Sequence, residues 1–539
     1  MAFGLYCAPI WGGVHSLLRL GLSKRLLKSG MIVSAMTMIS RILGLVRDMV
    51  IANMAGAGLA ADVYLFANRI PNFFRRLFGE GAFAQAFVPV LTEVKEKHGD
   101  DEVRILFAKV AGTLGGIVTV VVAFGVLGSS LVAAIFGFDW FWQWYTGEGD
   151  EGKFELFSTM LKITFPYLWF ITLVALSGAV LNTYNRFAVA AFTPVFLNIA
   201  IIACALWLSP YFAVPEIALA VGVFVGGLVQ FVFQLPYLAR LGLLVRPRWG
   251  WHDEHVKRIR TLMLPAMFGV SVSQINLLLD TVIASFLVTG SVSWLYYADR
   301  LIEFPLGLFG IGIATVILPA LSAQHTNNKP QQFAATMDWG VRFIGFFGVA
   351  ALAGLMMLAG PIITVLFYHG EFKQADVLQV SYALMAYCCG LLSFMMIKVL
   401  APGFYSRQDI KTPVRIGIIA MVANMVFNLM LVPFLGYIGL ALATAMSASL
   451  NVVLLYHGLN QQGIYQFTTD TYWFFGKLVA AAVLMALVLW YMTPDIALWF
   501  DFSLGQKLMW LGACIAAGVM SYVGGLWLLG VRVSDLKSS

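Results

Sequence analysis

The sequence predicts an all-α integral membrane protein with about 14 transmembrane helices. Three observations carry this prediction. The chain is 60% hydrophobic and only 11% charged, whereas soluble proteins are about 25% charged. Apolar runs of spanning length recur from about residue 31 to about residue 531. Lysine and arginine also alternate between rich and poor in successive loops, as expected for a polytopic protein.

The spans follow from the apolar runs, each of which reaches the length of about 20 residues that a bilayer requires. In chain order they are 31–54, 60–92, 107–137, 158–182, 189–209, 215–239, 261–289, 292–322, 334–367, 378–404, 413–434, 437–458, 472–493 and 508–531. Several exceed the minimum, which helix tilt accommodates.

The distribution of basic residues tests this assignment. The loops placed in the cytoplasm carry Lys95, Lys97, Arg104, Arg186, Arg240, Arg246, Arg248, Lys257, Arg258, Arg260, Lys329, Arg407, Lys411 and Arg415. The opposite loops carry only Lys153, Lys373 and Lys507. Because cytoplasmic loops are enriched in Lys and Arg, we expect both termini to be cytoplasmic. A net charge of +7 then reflects orientation and lipid headgroups rather than nucleic acid.

An internal repeat divides the chain. Asp48-Met-Val-Ile-Ala recurs as Asp280-Thr-Val-Ile-Ala, and the segment around Asn68-Arg69-Ile recurs around Asp299-Arg300-Leu. The offset of about 230 residues spans six helices, an even number that keeps both copies in the same orientation. We therefore predict two parallel six-helix lobes plus two C-terminal helices.

The predicted divisions are an N-terminal extension at 1–22, a first lobe at 23–240, a cytoplasmic linker at 241–260, a second lobe at 261–460 and a final segment at 461–539. The extension contains a short apolar stretch without a cleavage site. We expect it to be disordered or to reflect an upstream start codon rather than a cleaved signal peptide.

Charged residues inside the spans indicate function. An ionised side chain at a span centre costs about 2.5–3.5 kcal/mol on the gentlest scale, so it persists only where it faces water, a partner or a charged ligand. The charges are Arg41, Arg47, Asp48, Asp62, Arg69, Arg75, Arg76, Glu80, Asp299, Arg300, Glu303 and Lys398. Since they come from both predicted lobes, they predict a cationic chamber for an anionic, phosphorylated substrate.

Other interpretations of these charges remain open at this point. Arg47 and Asp48 are adjacent and form a candidate structural ion pair. Arg75 and Arg76 lie near a predicted span end, where long side chains reach the membrane surface. Glu303 follows Arg300 by three residues on the same helix face, which allows an internal pair.

A second set of residues offers oxygen ligands. Asn424 and Asn428 are four residues apart on one face of the eleventh span, while Asp280 and Thr444 lie in the seventh and twelfth spans. Carboxylate, amide and hydroxyl oxygens suit small hard cations. The alternative is hydrogen bonding between helices. The sequence contains neither a P-loop nor an H-E-x-x-H motif, so we expect no enzyme activity and no cofactor other than a candidate sodium ion.

Four stretches resemble the MurJ (MviN) family of lipid II flippases, within the multidrug/oligosaccharidyl-lipid/polysaccharide exporter superfamily. They are Ser40-Arg41-Ile-Leu-Gly44-Leu-Val-Arg47-Asp48, Asn72-Phe-Phe-Arg75-Arg76-Leu-Phe-Gly79-Glu80-Gly81-Ala-Phe83, Ser293-Trp-Leu-Tyr-Tyr-Ala-Asp299-Arg300-Leu-Ile-Glu303-Phe-Pro305 and Lys398-Val-Leu-Ala-Pro402-Gly-Phe-Tyr405-Ser-Arg407-Gln-Asp409-Ile-Lys411-Thr-Pro413. The resemblance covers roughly residues 23 to 535.

The resemblance implies that the substrate is undecaprenyl-diphosphate-linked disaccharide-pentapeptide, moved to the periplasmic leaflet of the bacterial inner membrane for peptidoglycan synthesis. It implies that the essential cavity arginines are Arg41, Arg47, Arg75 and Arg300, and that Asp62 and Ser293 are cavity positions. It further implies a sodium site, found in some members, at Asp280, Asn424, Asn428 and Thr444. The two extra helices match a groove for the lipid tail.

From these residues we predict a substrate-binding set of Arg41, Arg47, Arg75, Arg300, Asp62, Glu80, Ser293, Asp299, Glu303 and Lys398. The expected partners are lipid II, membrane lipids and proteins of cell-wall synthesis or division, for a monomeric transporter that binds no nucleic acid. Two alternatives are a drug/cation antiporter, which would need an acidic and aromatic cavity, and a membrane scaffold for cell-wall synthases, which would not need charges inside its spans.

Overall fold

A computed structural model of the chain describes residues 24–78, 82–147 and 152–532. Within these ranges every regular element is helical and no strand occurs, which confirms the predicted fold class. The extension at 1–22, Glu80 and residues 533–539 lie outside the described residues.

The described helices of the first half of the chain begin and end at proline or glycine in several places. They are α1 (Lys24–Ala55), α2 (Leu59–Phe78), α3 (Ala82–His98), α4 (Asp100–Leu127), α5 (Ser129–Phe136), α6 (Phe138–Thr146), α7 (Lys153–Thr164), α8 (Pro166–Thr183), α9 (Phe187–Phe192), α10 (Pro194–Trp207) and α11 (Ile217–Arg240). Pro166 and Pro194 start new helices because proline has no backbone N–H to donate. The predicted span 107–137 is broken at Gly128 and Gly137.

The second half continues in the same way. Its described helices are α12 (Glu254–Ser285), α13 (Ser291–Pro305), α14 (Ile311–Thr326), α15 (Pro330–Met357), α16 (Ala359–Phe367), α17 (Gln374–Tyr405), α18 (Lys411–Leu435), α19 (Tyr437–Gln461), α20 (Thr469–Met492), α21 (Ile496–Asp501) and α22 (Leu504–Leu528). A π-helical turn, Leu306–Gly310, joins α13 to α14. The predicted span 334–367 is divided at Leu358 into α15 and α16.

Eleven helical stretches of the described chain are long and apolar enough to cross a membrane. The other three predicted spans, 31–54, 60–92 and 261–289, coincide with α1, with α2 and α3, and with α12. α1 and α2 contain several of the charged residues predicted for the chamber, which lower hydropathy without preventing a helix from spanning, and α12 contains the shorter apolar stretch Gln274–Ser285. The chain is therefore a multi-pass membrane protein, and the count of fourteen stays a prediction.

Many of the closest helix contacts lie within one half of the chain, while α12 of the second half also packs on α2 and α3. In the first half α11 packs against α8 and α10, and in the second half α17 packs against α15 and α19. The last long helices, α20 and α22, pack on each other, and α20 also packs on α15. The final helix pair is thus attached to the second half of the chain. The division into lobes with the boundaries given above stays a prediction.

The two halves meet where α1 ends and α2 begins, a region we call the α1–α2 end. The backbone N–H of Glu371 donates to the carbonyl of Asn53 at 3.0 Å, and the Tyr297 hydroxyl donates to the carbonyl of Gly56 at 3.2 Å. Gly56 has φ +58, and a Cβ there would overlap the backbone of Glu371. Glycine is therefore required both by the backbone conformation and by the close approach.

At the opposite end the contacts involve the linker. Asp253 accepts a hydrogen bond from the Lys109 ammonium at 2.5 Å and caps α12 by accepting from the backbone N–H groups of His255 and Val256. Arg258 donates to Glu93 at 2.7 Å, and the hydrogen bonds from Lys97 and Arg258 lower the pKa of the Glu93 carboxyl. The sequence His252-Asp-Glu-His255 therefore serves to start a helix.

Candidate functional site

A cavity of about 970 Å³ lies between helices of the two halves, lined by parts of α1, α2, α3, α8, α9, α10, α11, α12, α13 and the π-helical turn. Among the described residues its charged lining comprises Arg41, Arg47, Asp48, Arg69, Arg75, Arg76, Asp299, Arg300 and Glu303. Six are arginines and three are carboxylates, so the cavity carries an excess of positive charge. The structure thus brings together six residues of the predicted substrate-binding set.

Arg47 and Asp48 form the ion pair considered from the sequence. The Arg47 Nε and Nη2 groups donate to Asp48 Oδ1 at 3.0 and 2.7 Å. The Arg47 Nη1 group donates to Asn198 Oδ1 at 3.1 Å, and Nη2 also lies 3.2 Å from the Tyr296 hydroxyl. Asp48 is only 2% exposed. Since Tyr296 belongs to α13, this pair is tied to the other half of the chain.

Arg300 approaches the same carboxylate from α13. Its Nε atom lies 3.5 Å from Asp48 Oδ2, and its Nη1 group donates to Glu303 Oε2 at 2.8 Å. The guanidinium stacks over the Tyr296 ring, 4.8 Å from the centroid. Its Nε is buried and has no hydrogen-bond partner among the described residues. Because a guanidinium has five N–H donors, Arg300 keeps donor capacity for a ligand in the cavity.

Three arginines of α2 line the cavity in different ways. Arg69 Nη1 donates to Thr281 Oγ1 at 2.6 Å, and Arg76 Nη1 donates to Gln274 Oε1 at 3.0 Å, so both cross to α12. Arg75 Nε donates to Asn72 within its own helix at 3.0 Å. Since Arg75 and Arg76 both line the cavity, the structure favours the chamber over side chains that reach for the membrane surface.

Arg41 reaches the π-helical turn of the other half. A Cβ added at Gly307 would overlap the Arg41 guanidinium. The absence of a side chain at Gly307 therefore makes room for Arg41 across the cavity.

Asp62 and Ser293 are bonded to each other at the α1–α2 end. Asp62 accepts hydrogen bonds from the Gly290 N–H at 2.6 Å, the Ser293 N–H at 2.8 Å and the Ser293 hydroxyl at 2.6 Å. Asp62 is 5% exposed and Ser293 is fully buried. A carboxylate of α2 thus caps the N-terminus of α13, a location where helix geometry favours negative charge.

Two predicted residues lie elsewhere. Lys398 is exposed on α17, and its aliphatic chain lies near Gly310 rather than in the cavity lining. Glu80 falls outside the described residues. Their roles in binding stay predictions.

The four predicted oxygen ligands lie together among α12, α18 and α19. Asn428 Nδ2 donates to Asp280 Oδ1 at 2.8 Å and to Asn424 Oδ1 at 3.0 Å. The Thr444 hydroxyl lies 3.3 Å from Asp280 Oδ2 and 3.3 Å from Asn424 Nδ2. Asn424 and Asn428 are buried, and Asn428 Oδ1 has no partner among the described residues. The arrangement therefore has hydrogen bonds between helices and one spare buried acceptor.

Sequence reasoning missed the neutral members of the site. Tyr296, Asn198, Gln274 and Thr281 hold the arginines in place. Asn198 is the single amide side chain in the predicted span 189–209, and a strongly polar group in an apolar span is a signal of function.

The comparisons with known proteins agree on one family. Residues 51–508 match the family model described as "Lipid II flippase MurJ". The chain is 61% identical over 517 residues to a "Probable lipid II flippase MurJ" of Vibrio cholerae, covering 96% of this chain and 98% of that one. It is 39% identical over 517 residues to the "Lipid II flippase MurJ" of Burkholderia cenocepacia, covering 94% and 98%.

Solved structures show the same likeness. One titled "Lipid II flippase MurJ, inward closed conformation" superposes with a TM-score of 0.78 at 26% identity, covering 93% of this chain and 98% of that one. An inward-facing multidrug resistance MATE family transporter of the MOP superfamily superposes with a TM-score of 0.64 at 13% identity, covering 80% and 96%. The second likeness concerns the fold alone.

Proposed function

Since this chain belongs to the MurJ family of lipid II flippases, we propose that it moves lipid II from the cytoplasmic to the periplasmic leaflet of the inner membrane. Lipid II is the undecaprenyl-diphosphate-linked disaccharide-pentapeptide used in peptidoglycan synthesis. The protein changes the location of this lipid without changing its covalent structure.

The observation that carries this proposal is the cavity with arginines from both halves of the chain. A diphosphate cannot cross hydrocarbon without replacement of its hydration shell. Arginine donates in a planar fork that matches phosphate oxygens. Arg41 and Arg47 of α1, Arg75 of α2 and Arg300 of α13 line one cavity and can bind one diphosphate together.

The carboxylates of the cavity explain how the substrate is released. Asp48 contacts Arg47 and Arg300, so a bound diphosphate competes with an internal anion. When the cavity holds no substrate, the Asp48 carboxylate balances the charge of these arginines, because unpaired buried charges are costly. When lipid II binds, its diphosphate takes the place of Asp48. Rocking of the two halves then exposes the cavity to each side in turn, with the polyprenyl tail in lipid beside α20 and α22.

Reconstitution tests the function directly. Purified protein in proteoliposomes with fluorescent lipid II is expected to make inner-leaflet lipid II accessible to a membrane-impermeant quencher, and protein-free vesicles are the control. A rate equal to that of protein-free vesicles would refute the proposal. Imposing a membrane potential reports the energy source, since about 2.3 kcal/mol per charge is available at 100 mV.

The cavity charge also bears on the alternatives. A drug/cation antiporter needs an acidic cavity for its cationic substrate, whereas arginines outnumber carboxylates here. A scaffold for cell-wall synthases needs no internal cavity of this size, although such proteins remain candidate partners. Because a single chain builds the cavity, we propose that the transporter is a monomer.

We also propose that Asp280, Asn424, Asn428 and Thr444 hold a sodium ion. The donor set fits such an ion, with a carboxylate, two amide oxygens and a hydroxyl. The buried Asn428 Oδ1 without a partner supports the fit. Leu279 stands where the repeat has Arg47, so the charge of Arg69, which itself donates to Thr281, is the positive charge of the described residues that acts on Asp280. A bound ion would supply positive charge beside the carboxylate.

The sodium proposal predicts that sodium stimulates translocation and that one variant loses this stimulation. Replacing potassium with sodium is expected to raise translocation by at least about fivefold, the lower end of ordinary coupling between sites. Asp280→Ala is expected to lose that stimulation. Asp139→Ala is the control, since its carboxylate bonds only within α6 to Gln143 among the described residues. Equal rates in sodium and potassium for wild type would contradict the proposal.

The contact between Arg41 and Gly307 gives a second prediction. Gly307→Ala is expected to lower lipid II translocation about tenfold, because the added methyl group displaces the guanidinium and such overpacking costs about 1–3 kcal/mol. The assay is the fluorescent lipid II translocation described above.

The matched control for this prediction is Gly312→Ala, where an added Cβ meets no atom of the described side chains within 4 Å. Gly312 lies five residues further on in α14, so both changes place an alanine in the same span. Equal translocation rates for the two variants would show that translocation does not depend on the space that Gly307 leaves for the Arg41 guanidinium.

A further inference from the structure

The cavity has two unlike walls. All nine charged lining residues belong to α1, α2 or α13. The part of the lining contributed by α8, α10 and α11 contains no charged residue within the described chain. This second part, which we call the neutral wall, is not explained by recognition of a diphosphate.

The neutral wall carries amide groups instead. Gln230 and Gln234, one turn apart on α11, are 2% and 1% exposed. Their Nε2 groups donate to the carbonyl and the hydroxyl of Thr193 at 3.2 and 3.0 Å. Their Oε1 atoms are buried and have no hydrogen-bond partner among the described residues. Two acceptors are thus left over on one helix face beside the cavity.

The two unpaired acceptors of the neutral wall would be stabilised by a ligand that donates hydrogen bonds. A buried polar atom without a hydrogen bond is costly, so a ligand with O–H or N–H groups would be stabilised here, whereas an anion would be repelled by the oxygens. The terminal torsion of glutamine is soft, so each oxygen can be presented to a ligand in the adjoining cavity. Ala175, Gly178 and Ala179 also line this wall and leave room for a ring-sized group.

We propose that the neutral wall is the subsite for the N-acetylated sugars of the substrate. Hydroxyl and acetamido N–H groups of the sugars donate to Gln230 and Gln234, while the charged wall binds the diphosphate. The inference rests on the proposed function and deepens it. It makes Gln230 and Gln234 specificity-determining residues that distinguish a glycosylated polyprenyl diphosphate from the same lipid without its sugars.

The test compares two ligands that share their tail and diphosphate. Dissociation constants for lipid II and for undecaprenyl diphosphate are measured on wild type, Gln230→Met and Gln234→Met. Each substitution is expected to weaken lipid II binding about fivefold, as the loss of one neutral hydrogen bond implies. Binding of undecaprenyl diphosphate is expected to change by less than about twofold. A dissociation constant, unlike the amount of ligand bound, does not depend on how much of the protein is folded, so a partly unfolded variant can still be compared with wild type.

The controls separate this subsite from the rest of the cavity. Gln324→Met removes an amide whose Oε1 is likewise buried without a partner in the described part of the chain and whose Nε2 donates to Thr336, but which lies outside the cavity lining. It is expected to change neither constant, and Arg300→Ala is expected to weaken both ligands.

Two results overturn the sugar subsite: equal constants for wild type and both glutamine variants, or an equal loss for both ligands. Wild type that binds no lipid II would instead refute the proposed function, so the two failures are distinguishable.

Discussion

Arg300→Ala is expected to lower lipid II translocation by about 10- to 100-fold. The substitution removes a charge-assisted contact with the diphosphate, which is worth about 1.5–3 kcal/mol, and each 1.4 kcal/mol corresponds to about tenfold. It also removes the approach of the guanidinium to Asp48, a carboxylate that is 2% exposed. That carboxylate then competes with the substrate for Arg47 alone.

Arg104→Ala is the matched control, since its guanidinium is exposed and pairs with the exposed Asp101. Translocation in this variant is expected to match wild type, because exposed pairs contribute little. Arg300→Lys separates charge from geometry. A lysine keeps the charge but not the planar fork, so an intermediate rate is expected. Wild-type translocation by Arg300→Ala would show that the cavity does not bind the diphosphate through this residue.

The charged part of the site could be predicted from sequence because charge inside a span is rare and costly. Arg41, Arg47, Arg75 and Arg300 stand out in apolar surroundings, and the repeat indicates that α2 and α13 are equivalent. The neutral partners do not stand out in this way. Tyr296 orients two arginines, but a tyrosine in an apolar helix is ordinary, so only the tertiary arrangement identifies it.

Gln230 and Gln234 illustrate a second limit. Their four-residue spacing predicts a shared helix face, yet the sequence does not tell whether that face meets another helix or a cavity. The positions where helices break are likewise only partly predictable from the sequence. Pro166 and Pro194 signal two of these breaks in the sequence, whereas the π-helical turn at Leu306–Gly310, which lies against Arg41 and Lys398, is identified only in the structure.

Asp62→Ala is expected to shift the α1–α2 end toward an open state by about 100-fold in the ratio of open to closed molecules. The variant loses three hydrogen bonds to a buried carboxylate, and charge-assisted bonds are worth about 1.5–3 kcal/mol each. Part of that loss is recovered as the Gly290 and Ser293 donors meet water. A net change of about 2.7 kcal/mol then gives the stated ratio.

Spin labels at Gly58 and Lys373, which are both exposed and lie on opposite sides of this contact, would measure the change by pulsed dipolar spectroscopy. The experiment needs a background without the five native cysteines. Asp62→Ala is expected to populate longer distances, and Ser293→Ala, which removes one of the three bonds, to do so about tenfold less. Asp139→Ala is the control that keeps the wild-type distribution.

Translocation is expected to be slowed most by Asp62→Ala, less by Ser293→Ala and not by Asp139→Ala, because alternating access requires that each end close in turn. If Asp62→Ala opened this end without slowing transport, closure here would not limit the cycle, and Asp62 would act on the substrate itself. If neither distances nor rate changed, the bonds to α13 would contribute nothing to closure. The hydrogen bonds of Glu371 to Asn53 and of Tyr297 to Gly56 would then have to hold this end closed.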